Sequence, residues 1–237
     1  MSTQTASALA HAMERVDEFF DGVFAPLEAW LPELQRTLAA RAADGPMTGA
    51  QLAVLVEPGA HAILDTVDRP LYGAGYCANA LVVSEGNPLA WWQGPERGLL
   101  ASSTFGPGQA AIDLVRLEWY RVPEATGERH VAGPFVDYLC SNEITVTAAI
   151  PVRLGSAFAG VICADVLVAS LERVLLPQLP ADAQATLVNA GGRVVVTSDP
   201  AYETGDRHAD AAEASDSGDD ARVAVSQRYP FALLAAG

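Results

Sequence analysis

Two aspartates stand among apolar residues in the second half of the chain and have the chemistry to bind a cation. Asp137 closes the run Gly-Pro-Phe-Val-Asp at 133–137, and Asp165 closes the run Gly-Val-Ile-Cys-Ala-Asp at 160–165. A buried carboxylate needs a partner, because an unpaired charge is costly away from water. An ammonium group is such a partner, since each of its charge-assisted hydrogen bonds contributes roughly 1.5 to 3 kcal/mol. The pattern predicts a site for a small amine.

Aromatic residues near these aspartates could enclose the cation. A ring face attracts a cation with about 0.5 to 2 kcal/mol. The candidates are Trp119, Tyr120, Phe135, Trp91, Trp92 and Tyr76. In an alternating strand only one of Trp91 and Trp92 can face the site, and the sequence does not say which. The alternative is that these rings are ordinary core and that Asp137 caps a turn.

The sequence lacks the motifs of the common enzyme classes. It contains no Gly-x-Ser-x-Gly elbow, no P-loop, no dinucleotide fingerprint and no His-Glu-x-x-His. The four histidines are scattered, and the cysteines, Cys77, Cys140 and Cys163, fit no zinc spacing. We therefore expect no catalysis, cofactor or metal, and we expect the thiols to be buried and reduced.

The charge balance is strongly acidic. The chain has 29 acidic and 14 basic residues, all of the latter Arg, for a net charge of −15. This charge excludes nucleic acid as a partner and would attract a cationic metabolite, although an acidic surface more often serves solubility alone. The first 20 residues carry Glu14, Asp17 and Glu18 where a signal peptide would be basic and apolar, and no apolar stretch is long enough to span a membrane. We expect a cytoplasmic protein that does not bind membranes.

The elements that must position the site begin with a long helix. Apolar residues at three- and four-residue spacing predict a helix over 6–42, with a kink or a break into two helices at Pro26 and Pro32. Such a helix could pack on its own domain or on a second copy, and we expect a homodimer. Further helices are predicted over 48–56, 60–67, 108–118 and 168–176.

Alternating and β-branched runs predict an antiparallel sheet. Strands are expected over 75–83, 89–93, 144–152 and 157–166, with the first two forming a hairpin across a turn at 85–88. A shorter set follows over 183–188, 193–197, 222–227 and 229–234. Within it, the acidic segment 199–220 has the composition of a flexible loop. The fold class is therefore α+β with a central antiparallel sheet.

The order of the motifs resembles Cache sensor domains. The resemblance rests on Trp119-Tyr120, Phe135-x-Asp137 and Asp165, and it covers about residues 71 to 176. It implies a double-Cache, PAS-like ligand-binding fold in a free-standing soluble form, with the aspartates on the amino group of a ligand. The domains it implies are an N-terminal helical segment (1–44), a Cache-like binding module (45–177) and a truncated second module (178–237).

The chain departs from the amino-acid-binding members of this family at two positions. Leu117 stands where those members have an Arg that holds the ligand carboxylate, and Ile112 stands where an upstream aromatic is expected. An amine or a quaternary ammonium compound is therefore favoured. The alternatives are an amino-acid sensor, or a structural or dimerisation module whose pocket is filled by side chains. A free-standing sensor would act through a separate partner, a regulator or a transporter.

Overall fold

A single long helix, α1 (Thr3–Ala42), begins the fold and contains both prolines. The predicted helix is confirmed, but the alternative of two consecutive helices is wrong. Pro26 removes one main-chain hydrogen bond, yet Phe24 and Leu27 on either side of it are fully buried, so tertiary packing outweighs the loss. The helix packs on strands of its own chain.

The computed structural model describes residues 3–42, 44–66, 68–100, 113–137, 142–179, 184–211 and 222–235. The helices after α1 are α2 (Gly49–Leu64), α3 (Glu118–Thr126) and α4 (Val168–Leu175), with 3-10 turns at Leu114–Arg116 and Leu176–Gln178. The strands are β1 (Met47–Thr48), β2 (Leu71–Ala78), β3 (Val83–Glu85), β4 (Leu89–Gln93), β5 (Gly98–Leu99), β6 (His130–Val136), β7 (Ile144–Leu154), β8 (Ala157–Leu167), β9 (Ala185–Asn189), β10 (Val194–Thr197), β11 (Val223–Val225) and β12 (Phe231–Ala235). Among these residues, no helix is both long and apolar enough to span a membrane.

A six-stranded antiparallel sheet in the order β5-β4-β2-β8-β7-β6 forms the centre. Its two faces are covered differently. Side chains of α1 and α2 pack on one face with Tyr76, Trp92 and Ile162. Side chains of α3 pack on the other face with Trp91 and Cys163. One face of the sheet is thus covered by two helices, and the other, which we call the thinly covered face, by α3 alone among the described helices. The candidate site lies on the thinly covered face.

A four-stranded sheet in the order β10-β9-β12-β11 follows the first sheet in the chain. A polar cluster joins it to α1. Asp17 accepts hydrogen bonds from Ser226 Oγ (2.5 Å) and Arg228 Nε (3.3 Å), and the Tyr229 hydroxyl donates to Asp21 (2.6 Å). The strands of the two sheets lie inside the predicted modules, whose boundaries at 44 and 177 stay predictions.

Several predicted bounds need correction. The two helices over 48–56 and 60–67 are one helix, α2, which tolerates Pro58 and begins at a capping box between Thr48 and Gln51. The strand over 75–83 begins at Leu71 and ends at Ala78. In the region predicted as helix over 108–118, residues 108–112 lie outside the described residues, and α3 itself was missed.

The acidic segment is not uniformly loop-like. Its described part, residues 199–211, is tied to β10 by main-chain hydrogen bonds from Val194 to Asp206 and from Gly205 to Val194. Tyr202 stacks on His208, with ring centroids 4.3 Å apart. This part thus has defined local contacts that composition does not reveal, and the flexibility of the segment stays a prediction. Residues 212–220 lie outside the described residues.

Candidate functional site

A small cavity lies between α3 and the thinly covered face of the six-stranded sheet. Its volume is about 20 Å³, which is room for about one water molecule. Five of its lining residues are sequence predictions, namely Trp91, Trp119, Phe135, Asp137 and Asp165, and the others are Leu89, Thr147 and Cys163. The structure therefore brings both aspartates and three of the six predicted aromatics to one place.

Strand alternation decides between the two neighbouring tryptophans. Trp91 faces the cavity, and Trp92 lies on the opposite face, where its ring packs edge-on against His61 at 5.8 Å between centroids. Tyr76 also lies on that opposite face, and its hydroxyl donates to the carbonyl oxygen of Ala159 (2.6 Å). The placement of Trp92 and Tyr76 in the site was therefore wrong. The physical reason is the two-residue period of a strand.

Tyr120 lies near the cavity without lining it. Its ring meets Phe158 edge-on at 5.4 Å, and it lines a separate surface groove. In α3, Trp119 and Tyr120 are successive residues about 100° apart around the helix axis, so the two rings leave the helix in different directions. Of the two predicted residues, the structure places Trp119 in the described wall of the cavity and leaves Tyr120 behind it.

A bulge in β6 turns Phe135 and Asp137 toward the cavity. The register pairs Ala132 with Thr147 but Phe135 with Thr145, so one extra residue lies in β6 between the two pairs. Without that residue, positions 135 and 137 would fall on the face opposite Ala132. Gly133 lies in the bulge at a φ of +112°, and its carbonyl oxygen accepts from Asn189 Nδ2 in the second sheet (2.7 Å).

Replacing Gly133 by Ala should destabilise the fold by about 1 to 3 kcal/mol and weaken ligand binding. A Cβ at this position would lie 2.7 Å from the carbonyl oxygen of Thr145, on a backbone that L-residues rarely adopt. Gly155→Ala is the matched control, because Gly155 also has a positive φ (+62°) but nothing within 4 Å of an added Cβ. Urea denaturation measures both. Equal losses in the two variants would mean that the bulge tolerates a side chain.

Asp165 is held on β8, directly across from Thr147 on β7. Thr147 Oγ1 donates to Asp165 Oδ1 at 2.6 Å. Burial raises the pKa of Asp165 to about 8, the hydrogen bond from Thr147 opposes this rise, and the charge of Asp137 adds to it. The thiol of Cys163, next to Asp165 in the cavity wall, also has a pKa raised well above its ordinary value by burial. Around neutral pH the empty site therefore keeps Asp165 largely protonated.

Asp137 is fixed through its main chain at the end of β6. Its N–H donates to the carbonyl oxygen of Glu143 (2.9 Å), and its carbonyl oxygen accepts from the N–H of Asn142 (2.8 Å). The residue is 6 % exposed. Two buried carboxyl groups, one accepting a hydrogen bond from a hydroxyl and the other at the end of a hydrogen-bonded turn, thus lie in the wall of one small cavity beside three aromatic rings.

Comparison with known proteins finds similarity of structure only. No protein-family model and no curated protein matches the chain. The ligand-binding domain of the Campylobacter jejuni chemoreceptor Tlp3, in complex with L-valine, has a TM-score of 0.62 at 11% identity and covers 98% of this chain and 91% of its own. That of Mlp24 with asparagine has a TM-score of 0.57 at 14% identity, with 98% and 90% covered.

A third similar structure is the ligand-binding domain of the Pseudomonas aeruginosa chemoreceptor PctC in complex with GABA. It has a TM-score of 0.53 at 17% identity and covers 99% of this chain and 97% of its own. The chain has the fold of a chemoreceptor ligand-binding domain. The predicted Cache-like α+β fold with a long N-terminal helix is confirmed, and the comparison spans both sheets, well beyond the 71 to 176 of the sequence resemblance.

Sequence reasoning missed three wall residues of this sensor fold. Leu89 and Cys163 belong to the same strand faces as Trp91 and Asp165, two positions away in each case. Thr147 was recoverable from the alternation in β7 once the register with β8 is known. The missing information was the pairing of strands and not the residue types.

The cavity of the sensor fold has no basic residue in its described wall. Arg116, close to the missing family Arg, is exposed and forms an ion pair with Asp113 (2.8 Å). Arg121 is exposed on α3. The described wall therefore offers two acids to an ammonium group and no cation to a carboxylate.

Proposed function

We propose that this protein is a non-catalytic sensor that binds a small ligand through its ammonium group. The observation that carries the proposal is the meeting of two buried carboxyl groups, Asp137 and Asp165, with three aromatic side chains in one cavity. Trp91, Trp119 and Phe135 form the apolar wall. A cation is the ligand that such a wall favours, because it can donate charge-assisted hydrogen bonds to the carboxylates and interact with the ring faces.

An amino acid or a related zwitterion is the ligand class we infer. The absence of a family Arg favours a simple amine, the sequence-based prediction. However, the ligands of the three similar structures, L-valine, asparagine and GABA, each carry both an ammonium and a carboxylate group. The comparisons therefore support the amino-acid alternative better than the amine, and we propose an amino acid as the first candidate.

The strength of the ammonium subsite is set by burial. Each charge-assisted hydrogen bond to an aspartate contributes roughly 1.5 to 3 kcal/mol. A ring face adds about 0.5 to 2 kcal/mol more. The ligand must also move side chains, because a cavity with room for about one water molecule does not hold an amino acid. Phe135 is the candidate for such a movement, because it is only partly buried.

The small volume also supports a second candidate function. A cavity nearly filled by its own side chains is what the structural or dimerisation module would have. The two functions differ in the response to small molecules. A module without a ligand would not be stabilised by any compound, whereas a sensor would be stabilised by its ligand.

A thermal-shift screen of the purified protein tests the proposal. The panel holds amino acids, GABA, the matching amines, quaternary ammonium compounds and carboxylates without an amine. A true ligand at 100 times its Kd adds about 2.7 kcal/mol to the free energy of unfolding. Shifts are expected only with compounds that carry an ammonium group. Shifts with the carboxylates alone would contradict the proposal, and no shift with any compound would favour the structural module.

Three further predictions stand on the sequence alone. The protein is expected to be a homodimer, to be located in the cytoplasm, and to act through a separate regulator or transporter. Light scattering after size-exclusion chromatography tests the first, since a monomeric mass would contradict it. In the structure α1 packs on its own chain, which is the first of the two options for that helix.

A further inference from the structure

Trp91 holds a buried hydrogen-bond donor that no acceptor satisfies. The residue is 4 % exposed and lines the cavity, and its indole N–H has no partner among the described residues. Buried polar groups in folded proteins are almost always paired, with protein, water or a ligand. A donor left unpaired in the wall of a binding cavity therefore points to an acceptor that comes from outside the chain.

The indole ring is held in its position by two glycines of β2. A Cβ added to Gly73 would lie 2.8 Å from Trp91 Nε1 and 3.0 Å from a ring carbon. A Cβ added to Gly75 would meet the carbonyl oxygen of Ala90 and would lie 2.9 Å from the Cα of Trp91. Because neither glycine has a side chain, the ring lies flat against β2. The donor is thereby placed before any ligand arrives.

The other polar groups of the wall cannot take the same role. The hydroxyl of Thr147 already donates to Asp165. The thiol of Cys163 is a weak donor, and burial keeps it neutral by raising its pKa. The aspartates repel an anionic group. A ligand with both an ammonium and an acceptor therefore finds its strong neutral donor at Trp91.

We propose that the indole N–H of Trp91 binds the carboxylate of the ligand and so makes the site select zwitterions over simple amines. The inference rests on the proposed function and deepens it, because it assigns the acceptor end of the ligand to a residue. In amino-acid-binding members of the family an Arg holds the ligand carboxylate, and this chain has Leu117 at that position. Trp91 would perform part of the role of that Arg. A neutral donor suits a cavity that already holds two acids, since it adds no third charge to a dry site.

The test compares ligands that differ only in the carboxylate. The pairs are L-valine with isobutylamine and GABA with propylamine, and calorimetry gives the affinity of each for the wild-type protein and for Trp91→Phe. Phenylalanine keeps an aromatic wall and removes the N–H. The wild type should prefer the carboxylate-bearing member of at least one pair. Trp91→Phe should weaken both members of the pair through the smaller ring, but it should lower the affinity for the carboxylate-bearing member about tenfold more than the affinity for its amine.

Trp92→Phe is the matched control, because Trp92 is the next residue on the same strand and faces away from the cavity. It should change neither affinity. Equal losses for both members of a pair in Trp91→Phe would overturn the inference, since only ring packing would then be lost. No loss for either member would overturn it too, because the ligand would then make no contact that depends on the N–H. A wild type that binds amines without preference overturns the inference and leaves the ammonium site standing, whereas one that binds nothing overturns both.

Indole NMR decides the matter if Trp91→Phe does not fold. The chain has four tryptophans, so a spectrum of ¹⁵N-indole-labelled protein has four side-chain N–H signals. Phe variants of Trp30, Trp92 and Trp119 assign the fourth signal to Trp91 by elimination. L-valine or GABA, whichever binds, should move this signal downfield, and the paired amine should not. A signal that moves equally with both would overturn the inference.

Discussion

Replacing Asp137 by Asn should lower the affinity for every ammonium ligand between about tenfold and one hundredfold while the protein stays folded. The change removes the charge and keeps the shape of the side chain. Each charge-assisted hydrogen bond lost costs roughly 1.5 to 3 kcal/mol, and the buried position of Asp137 limits how much of it water can replace. Asp137→Ala should abolish binding. Calorimetry measures the affinity, and urea denaturation confirms the fold.

The control for this variant removes an equal charge elsewhere. Asp44 is exposed after α1 and pairs with Arg41, and Asp44→Asn lowers the net negative charge by the same one unit. Its effect on affinity should stay within twofold, because screened surface charges contribute little. Full affinity in Asp137→Asn would mean that the ammonium group is held by other residues. Equal losses in both variants would mean that the overall negative field, and not the cavity, attracts the ligand.

Affinity for propylamine should rise by up to about one hundredfold between pH 6 and pH 8. Burial raises the pKa of Asp165 to about 8, so the free protein holds this carboxyl protonated at pH 6. A bound ammonium favours the charged carboxylate, and below pH 8 the ligand must therefore displace a proton, at a cost of about tenfold in affinity per pH unit. Propylamine itself stays protonated throughout, as lysine does. Calorimetry in buffers of different ionisation enthalpy counts the released proton.

Asp165→Asn should abolish this pH dependence, because its amide oxygen can still accept from Thr147 but cannot titrate. The empty protein should show the opposite trend. The folded pKa of Asp165 is about 8, and the unfolded value is about 3.9. Its stabilising contribution is thus complete below pH 4 and is lost as the pH rises through 8. The stability of Asp165→Asn relative to the wild type should therefore improve from pH 5 to pH 8. A wild-type affinity for propylamine that does not change between pH 6 and pH 8 would contradict both expectations.

The order of the motifs along the chain allowed us to predict that the two aspartates lie in one site, and to locate the two aromatic pairs but not to choose between their members. The strands β4, β7 and β8 were also predictable, since alternation and turn residues mark them plainly. What the sequence could not supply was strand register. Trp91 and Trp92 are equivalent in a sequence, and only the pairing of β4 with β2 puts one in the cavity and the other against α2.

The bulge at Gly133 was beyond sequence reasoning for a related reason. A Gly-Pro pair is equally typical of a turn and of a bulge. Only the pairing of β6 with β7 shows that it is a bulge here. In this fold it decides which way Phe135 and Asp137 point. The size of the cavity was also unpredictable, because it depends on how closely Trp119 approaches the sheet. Local sequence patterns indicate which residues could form a site, whereas the volume of a cavity depends on packing between segments that are distant in the sequence.

The hydrogen bond from Asn189 to Gly133 gives the second sheet a connection to whatever occupies the cavity. The oxygen of the same side chain accepts from the main-chain N–H groups of Gly191 and Arg193, so one amide holds together both its own turn and the neighbouring bulge. A ligand that moves the main chain of the bulge would therefore either stretch the bond to Gly133 or shift the Asn189 turn with it. The second sheet is thus tied directly to the strand that carries Phe135 and Asp137.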